Sequence, residues 1–173
     1  MAIIVSASAQ TRNDNSIGFY LLKSVKPNKD DSKGIPGEFV ALQEDLADTA
    51  FIKDEDIENY FVIEDATMLD GQSAVSVRHR IHLRSIVVDR VGKLDVPICC
   101  GRQFALVVDG EIVYCGYFWN RSSSFGCRTI SAVLNDSTID IFRALPDNNV
   151  KSEFDPRYNQ KLIEALKKSG RWR

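Results

Sequence analysis

The sequence predicts an α+β fold, an antiparallel or mixed sheet with helices packed mainly on one face. Three observations predict it. Two β-rich runs, Gln103 to Val108 and Glu111 to Phe118, meet at Asp109-Gly110, the pair favoured by a type I′ hairpin turn with φ > 0 at both central positions. From Ala74 to Leu83, Val75, Val77, His79, Ile81 and Leu83 alternate with Ser76, Arg78, Arg80 and His82, the period of a half-buried strand. Tyr158 to Lys168 places Leu162, Ile163 and Leu166 on one side and is followed by Gly170, an amphipathic helix with a C-terminal stop.

The remaining elements follow in chain order. Residues 1–16 read as a flexible N-terminus or the remnant of an export leader, since a short apolar start precedes Ala7 and Ala9 in an A-x-A pattern. Residues 17–173 have the length of one domain. Gly18 to Val25 is a first strand ended by Pro27, and Asn28 to Gly37 is a loop. A weak apolar patch follows at Phe39 to Leu42. Lys53 to Tyr60 reads as a short helix capped by Asp54, with Ile57, Tyr60 and Phe61 on one side. Ser85 to Leu94 reads as a second helix, with Val87, Val88, Val91 and Leu94 inward and Pro97 as its stop. Beyond the hairpin, Asn120 to Ser124 is a polar loop, and strands at Thr129 to Leu134 and Ser137 to Phe142 pair across Asn135-Asp136.

Charge and composition narrow the function classes. With a net charge of −2 there is no general electrostatic case for nucleic acid or an anionic membrane surface, because phosphate-driven binding needs clustered Lys and Arg. No run approaches the roughly 20 apolar residues of a membrane-spanning helix. Acidic residues gather at Asp54-Glu55-Asp56, and basic ones in the tail at Lys161, Lys167, Lys168, Arg171 and Arg173. The tail reads as helix-end cations, with docking on an acidic partner as the sharper alternative.

The chemistry-bearing residues do not assemble into a catalytic motif. His79 and His82 are three apart in a strand and so face opposite ways, His79 to the core and His82 to the surface. The cysteines lack C-x-x-C or zinc-site spacing, so no metal or other cofactor is expected. Cys99 and Cys100 are adjacent, which suits neither chelation nor an ordinary disulfide. Cys115 and Cys127 flank a loop; they form a disulfide if they sit on neighbouring strands of an exported chain, or remain buried thiols. A nucleophile at Cys100 or among Ser122, Ser123 and Ser124 lacks any motif supplying its base.

The distinctive surface candidate is Tyr117-Phe118-Trp119-Asn120-Arg121-Ser122-Ser123-Ser124-Phe125. Alternation puts one of Phe118 and Trp119 inside and the other outside. Aromatic rings beside Arg and small hydroxyls are typical of recognition surfaces, so Tyr117, Trp119, Asn120, Arg121, Ser122 and Ser123 are the candidate binding residues. In the alternative, both rings plug the end of the core.

The string Phe104 to Phe125, FALVVDGEIVYCGYFWNRSSSF, resembles a motif of uncharacterised bacterial exported proteins and lipoproteins: strand, D-G-E, strand, G-x-F-W, paired serines. The likeness extends loosely to Gly18–Leu22, Asp56-Ile57, His82-Leu83 and Asp155-Pro156-Arg157. The central element also resembles part of the periplasmic head of the SecD translocation subunit. The resemblance implies an interaction module with no active site to carry over. The expectation is therefore a non-enzymatic binding or protein-interaction domain of the bacterial cell envelope, or a secreted one, with a protein partner. Two alternatives stand beside it: a Cys- or Ser-dependent hydrolase, and an inhibitor or immunity protein whose acidic segment near Asp54 meets a basic enzyme or toxin.

Overall fold

The computed structural model describes residues 16–29, 34–69, 72–146 and 154–173. The expected flexible terminus, residues 1–16, lies outside the described residues except for Ser16. Among the described residues, seven strands form one mixed sheet: β1 (Ile17–Leu21), β2 (Ile57–Leu69), β3 (Gln72–Leu83), β4 (Arg102–Val108), β5 (Glu111–Trp119), β6 (Ser131–Asn135) and β7 (Thr138–Phe142). Their spatial order is β1-β4-β5-β6-β7-β3-β2. Every adjacent pair is antiparallel except β5 and β6, which run parallel. Two short helices among the described residues, α1 (Val88–Gly92) and α2 (Gln160–Lys168), make the architecture α+β.

The β4–β5 hairpin turns where the sequence places it: Asp109 has φ 50° and Gly110 has φ 78°. These are the left-handed values that make Asp-Gly the favoured pair. The β6–β7 hairpin closes Asn135 against Thr138, beside the expected turn. Helix α2 begins at a real cap, the Asn159 side chain accepting from the Lys161 amide, and ends at Gly170 with φ 69°.

One expected helix is a strand. Lys53 to Tyr60 forms only a 3₁₀ turn at Asp54–Asp56 and then enters β2. The reason is a β-bulge. Ile57 opposes Leu83, Asn59 opposes His82, and the extra residue between them shifts the register. Ile57 and Tyr60 are therefore both buried on one face although three residues apart, which imitates helical spacing. Two other elements are shorter than expected. The first strand ends at Leu21 rather than Val25, because Leu22 bridges Leu46 and the Lys23 amide turns to the Asp45 carbonyl. The helix expected over Ser85 to Leu94 is a 3₁₀ turn leading into the single turn of α1.

Both sheet faces are covered, and this fixes the site. On one face Phe19, Phe104 and Phe118 meet with ring centroids 4.6–6.0 Å apart, a separation at which aromatic pairs add about 0.5–1.5 kcal/mol each beyond burial. Val87 and Val91 near or in α1, and Leu162, Ala165 and Leu166 from α2, join the same cluster. On the other face Leu22, Phe39, Ala41 and Leu46 cover Ala105, Val107, Tyr117 and Trp119.

The parallel junction of β5 and β6 depends on Gly116. A Cβ there would lie 2.6 Å from the Ile130 carbonyl oxygen and 3.0 Å from Ile130 Cβ, closer than backbone can tolerate. Gly116→Ala is expected to destabilise the fold by about 1–3 kcal/mol, the range for overpacking. Equilibrium urea unfolding checks this, and an unchanged midpoint would show that β6 moves aside freely.

Candidate functional site

Strand β5 delivers Tyr117, Phe118 and Trp119 to the end of the sheet, where the chain turns into the Asn120–Phe125 loop. Local polar contacts brace that loop. Asn120 Oδ1 accepts from the Ser122 amide at 2.9 Å, and the Ser123 amide donates to the Asn120 carbonyl at 3.0 Å, an Asx-type turn. Ser123 Oγ donates to the Ile98 carbonyl at 2.6 Å and accepts from the Phe125 amide at 3.1 Å. Asn120 Nδ2 donates to the Val96 carbonyl at 3.3 Å. The segment Val96–Gly101 and the Asn120–Phe125 loop are thus held together.

Beneath the loop lies a concavity of about 450 Å³, within the size range of small-ligand or side-chain pockets. Trp119, Phe125, Val133 and Phe142 supply its apolar wall. Asn135 and Asp140 supply its polar end. Asp140 is only 6% exposed yet fully partnered. Arg80 Nε and Nη2 donate to its two oxygens at 2.6 and 2.8 Å, Asn135 Nδ2 donates at 3.2 Å, and Arg78 Nη1 stands 3.6 Å away. The bidentate bond to Asp140 holds the Arg80 guanidinium above its ordinary pKa. Arg121 is different. It is an exposed guanidinium at the pocket wall with no hydrogen-bond or ion-pair partner among the described residues.

The six candidate residues separate into four roles. Tyr117 is buried scaffold: its hydroxyl donates to Asn28 Oδ1 at 2.5 Å and accepts from Gln103 Nε2 at 3.1 Å, with the Gly37 carbonyl 3.3 Å away. Asn120 and Ser123 line the pocket while bracing the loop. Trp119 and Arg121 line it, and Ser122 is exposed outside it. The expectation that one of Phe118 and Trp119 faces outward is corrected. They do point to opposite sheet faces, but both faces are covered, leaving Phe118 0% and Trp119 3% exposed. Asp140, Phe142 and Val133 were not foreseen. The signal for Asp140 was present in Thr138-Ile139-Asp140-Ile141-Phe142, where alternation sets Asp140 and Phe142 opposite two buried isoleucines.

The other chemistry-bearing groups fall elsewhere. His79 is buried with Nδ1 2.7 Å from the Tyr60 hydroxyl, and His82 lies against the Phe61 ring at 4.9 Å. No hydrogen bond links either histidine to a cysteine or to Ser122–Ser124 among the described residues. All four cysteines are free thiols in the structure. Cys127 is buried with Sγ 3.7 Å from the Thr129 carbonyl, and burial raises the pKa of both Cys115 and Cys127. Cys100 is exposed, and its hydrogen bond with Cys99 raises its pKa, the reverse of the depression that activates a nucleophilic thiol.

The acidic run has partners within the chain. Arg171 forms a bidentate pair with Asp54, Arg90 pairs with Asp56, and Lys53 approaches Glu55 at 3.6 Å. Arg173 Nε donates to Asn59 Oδ1 at 3.0 Å. Arg171 thus joins the basic tail to the acidic run at Asp54, while Asp56 and Glu55 meet cations from outside the tail. Among the described residues, no helix is long and apolar enough to cross a membrane, and no three metal-ligating side chains cluster. Compared with protein-family models, curated proteins and solved structures, the chain matches none.

Proposed function

We propose that this chain is a non-catalytic binding domain that takes a short apolar segment of a partner protein, carrying a carboxylate, into the concavity beneath the Asn120–Phe125 loop. One observation carries the reading: Arg121 stands without an anionic partner among the described residues at a pocket whose own carboxylate, Asp140, is already paired with arginine. An incoming carboxylate would therefore meet a net positive rim. Phe125 at 55% exposed and Ile98 at 54% exposed lie on either side of Ser123 Oγ, which bonds the backbone of both. They offer apolar contact next to that charge. In this reading both helices cover one sheet face, and recognition falls to the opposite face, where Trp119 and Val133 line the concavity. Placement in the bacterial cell envelope is part of the same proposal and rests on the resemblance of Phe104 to Phe125 alone.

Selection from a displayed library of random peptides tests the site. Peptides retained by the native chain are expected to pair an apolar residue with a nearby Asp or Glu. Phe125→Ser and Arg121→Glu, both at exposed positions outside the core, should each weaken them at least tenfold. Trp119→Ala is a poor variant for this purpose because Trp119 is also core. Selected peptides that bind both variants as tightly as the native chain would overturn the proposal.

A further inference from the structure

We propose that Cys99 and Cys100 form a two-thiol site that captures one trivalent, pyramidal thiophilic centre of the arsenite or antimonite class, both sulfurs bonding to the same atom. Adjacent cysteines ordinarily point apart along a chain. Here the chain turns at Ile98–Cys100 and the Gly101 amide donates back to the Pro97 carbonyl at 3.0 Å. The turn brings the two Sγ atoms to 3.2 Å, with both residues exposed.

That separation selects among occupants. It is well beyond the roughly 2.05 Å of a disulfide bond. It is also shorter than the roughly 3.8 Å spanned by two thiolates on tetrahedral zinc, given Zn–S bonds of about 2.3 Å. At a similar bond length, a centre whose bonds lie near a right angle spans roughly 3.2 Å. Metal-ligating side chains do not gather in threes among the described residues, so the site offers two sulfurs and no closed tetrahedral cage. A trivalent centre needs only those two, keeping its third bond for an external group.

Backbone contacts on both sides of the two cysteines fix the turn, which favours bidentate capture over two separate events. Ser123 Oγ ties down the Ile98 carbonyl and Asn120 Nδ2 the Val96 carbonyl. Gly101, with φ 64°, sits so tightly against the sheet end that a Cβ would come within 2.6 Å of the Phe118 carbonyl and 2.7 Å of the Trp119 ring. With an organic arsenic(III) oxide the reaction is a condensation without redox change. Two As–S bonds form, the As=O bond breaks, and both thiol protons leave with the oxygen as one water.

Phenylarsine oxide tests this on the intact chain, with intact mass and Trp fluorescence as readouts. The expected result is one adduct per chain, removed by a small 1,2-dithiol but not by a monothiol in tenfold excess. Cys99→Ser and Cys100→Ser should each weaken capture at least tenfold, while Cys115→Ser leaves it unchanged. Because Gly101 packs on the Trp119 ring, adduct formation should also alter the tryptophan emission. Absence of an adduct on the native chain would overturn the proposal, as would a dithiol-reversible adduct that survives in the Cys99→Ser, Cys100→Ser double variant.

Discussion

Asp155→Ala is expected to lower the stability of this fold by about 3–5 kcal/mol, the range for stranding one partner of a buried ion pair. For a chain of this size that corresponds to a fall in melting temperature of roughly 10 °C. Arg157 is the partner left behind, and it is only 3% exposed. Its Nε and Nη2 reach Asp155 at 3.0 and 2.7 Å, and Nη1 donates to the Val77 and Ile141 carbonyls at 2.8 and 3.1 Å. These carbonyls belong to β3 and β7, so Arg157 clamps two strands together from below. Burial alone would raise the Asp155 pKa, but the hydrogen bonds and charge of Arg157 overcome it and hold the carboxylate below its ordinary value.

The comparison that isolates the charge is Asp155→Ala against the double variant Asp155→Leu, Arg157→Met. Removing both charges should recover much of the loss, since apolar replacement of a buried pair is often neutral. Chemical denaturation of the three proteins measures it. An Asp155→Ala protein that unfolds at the native denaturant concentration would mean that water reaches Arg157.

How much of this was readable in the sequence depends on how far apart the contacting residues lie. The Asp109-Gly110 hairpin was legible because turn and flanking strands carry their signals within a few residues. Strand β2 was not. The bulge beside Ile57 placed two buried side chains three apart, and a periodicity argument can only read that spacing as a helix. The loop from Asn120 was legible as a surface feature, since polar residues follow an aromatic strand. The depth of Trp119 was not, because the residues that cover it, Leu22, Phe39, Ala41 and Leu46, follow no regular period. Asp140 was missed for a similar reason. Its partner Arg80 lies 60 residues away in sequence, and the β3–β7 register that joins them is set by tertiary structure. The pairing of Asp54 with Arg171, 117 residues apart, shows the same limit: both charge clusters were visible, and the ion pair that joins them was not.

His79 should make stability fall with acid from pH 6.5 downward, starting above the ordinary carboxylate range. Its imidazole is fully buried, with Tyr60, the edge-on ring of Tyr158, Arg157 and Asp155 as the polar or charged groups around it. Burial first, and then the Arg157 charge, lower its pKa to about 4 from the ordinary 6.5, with Asp155 opposing. Between those values the unfolded chain binds a proton on His79 that the folded chain refuses. Stability therefore rises with pH across this window. The contribution is fully present above the unfolded value of 6.5 and is lost as pH falls toward 4. At about 1.4 kcal/mol per pH unit the whole span is worth about 3 kcal/mol. Urea unfolding at a series of pH values measures the slope. His79→Gln keeps a polar group for Tyr60 but does not titrate, so it should flatten the slope between pH 6.5 and 4; an unaltered slope would assign the effect to another group. The two predictions are linked through Arg157. Without Asp155 its charge is unopposed, His79 resists protonation further, and Asp155→Ala should lose stability in acid over a wider range than the native chain.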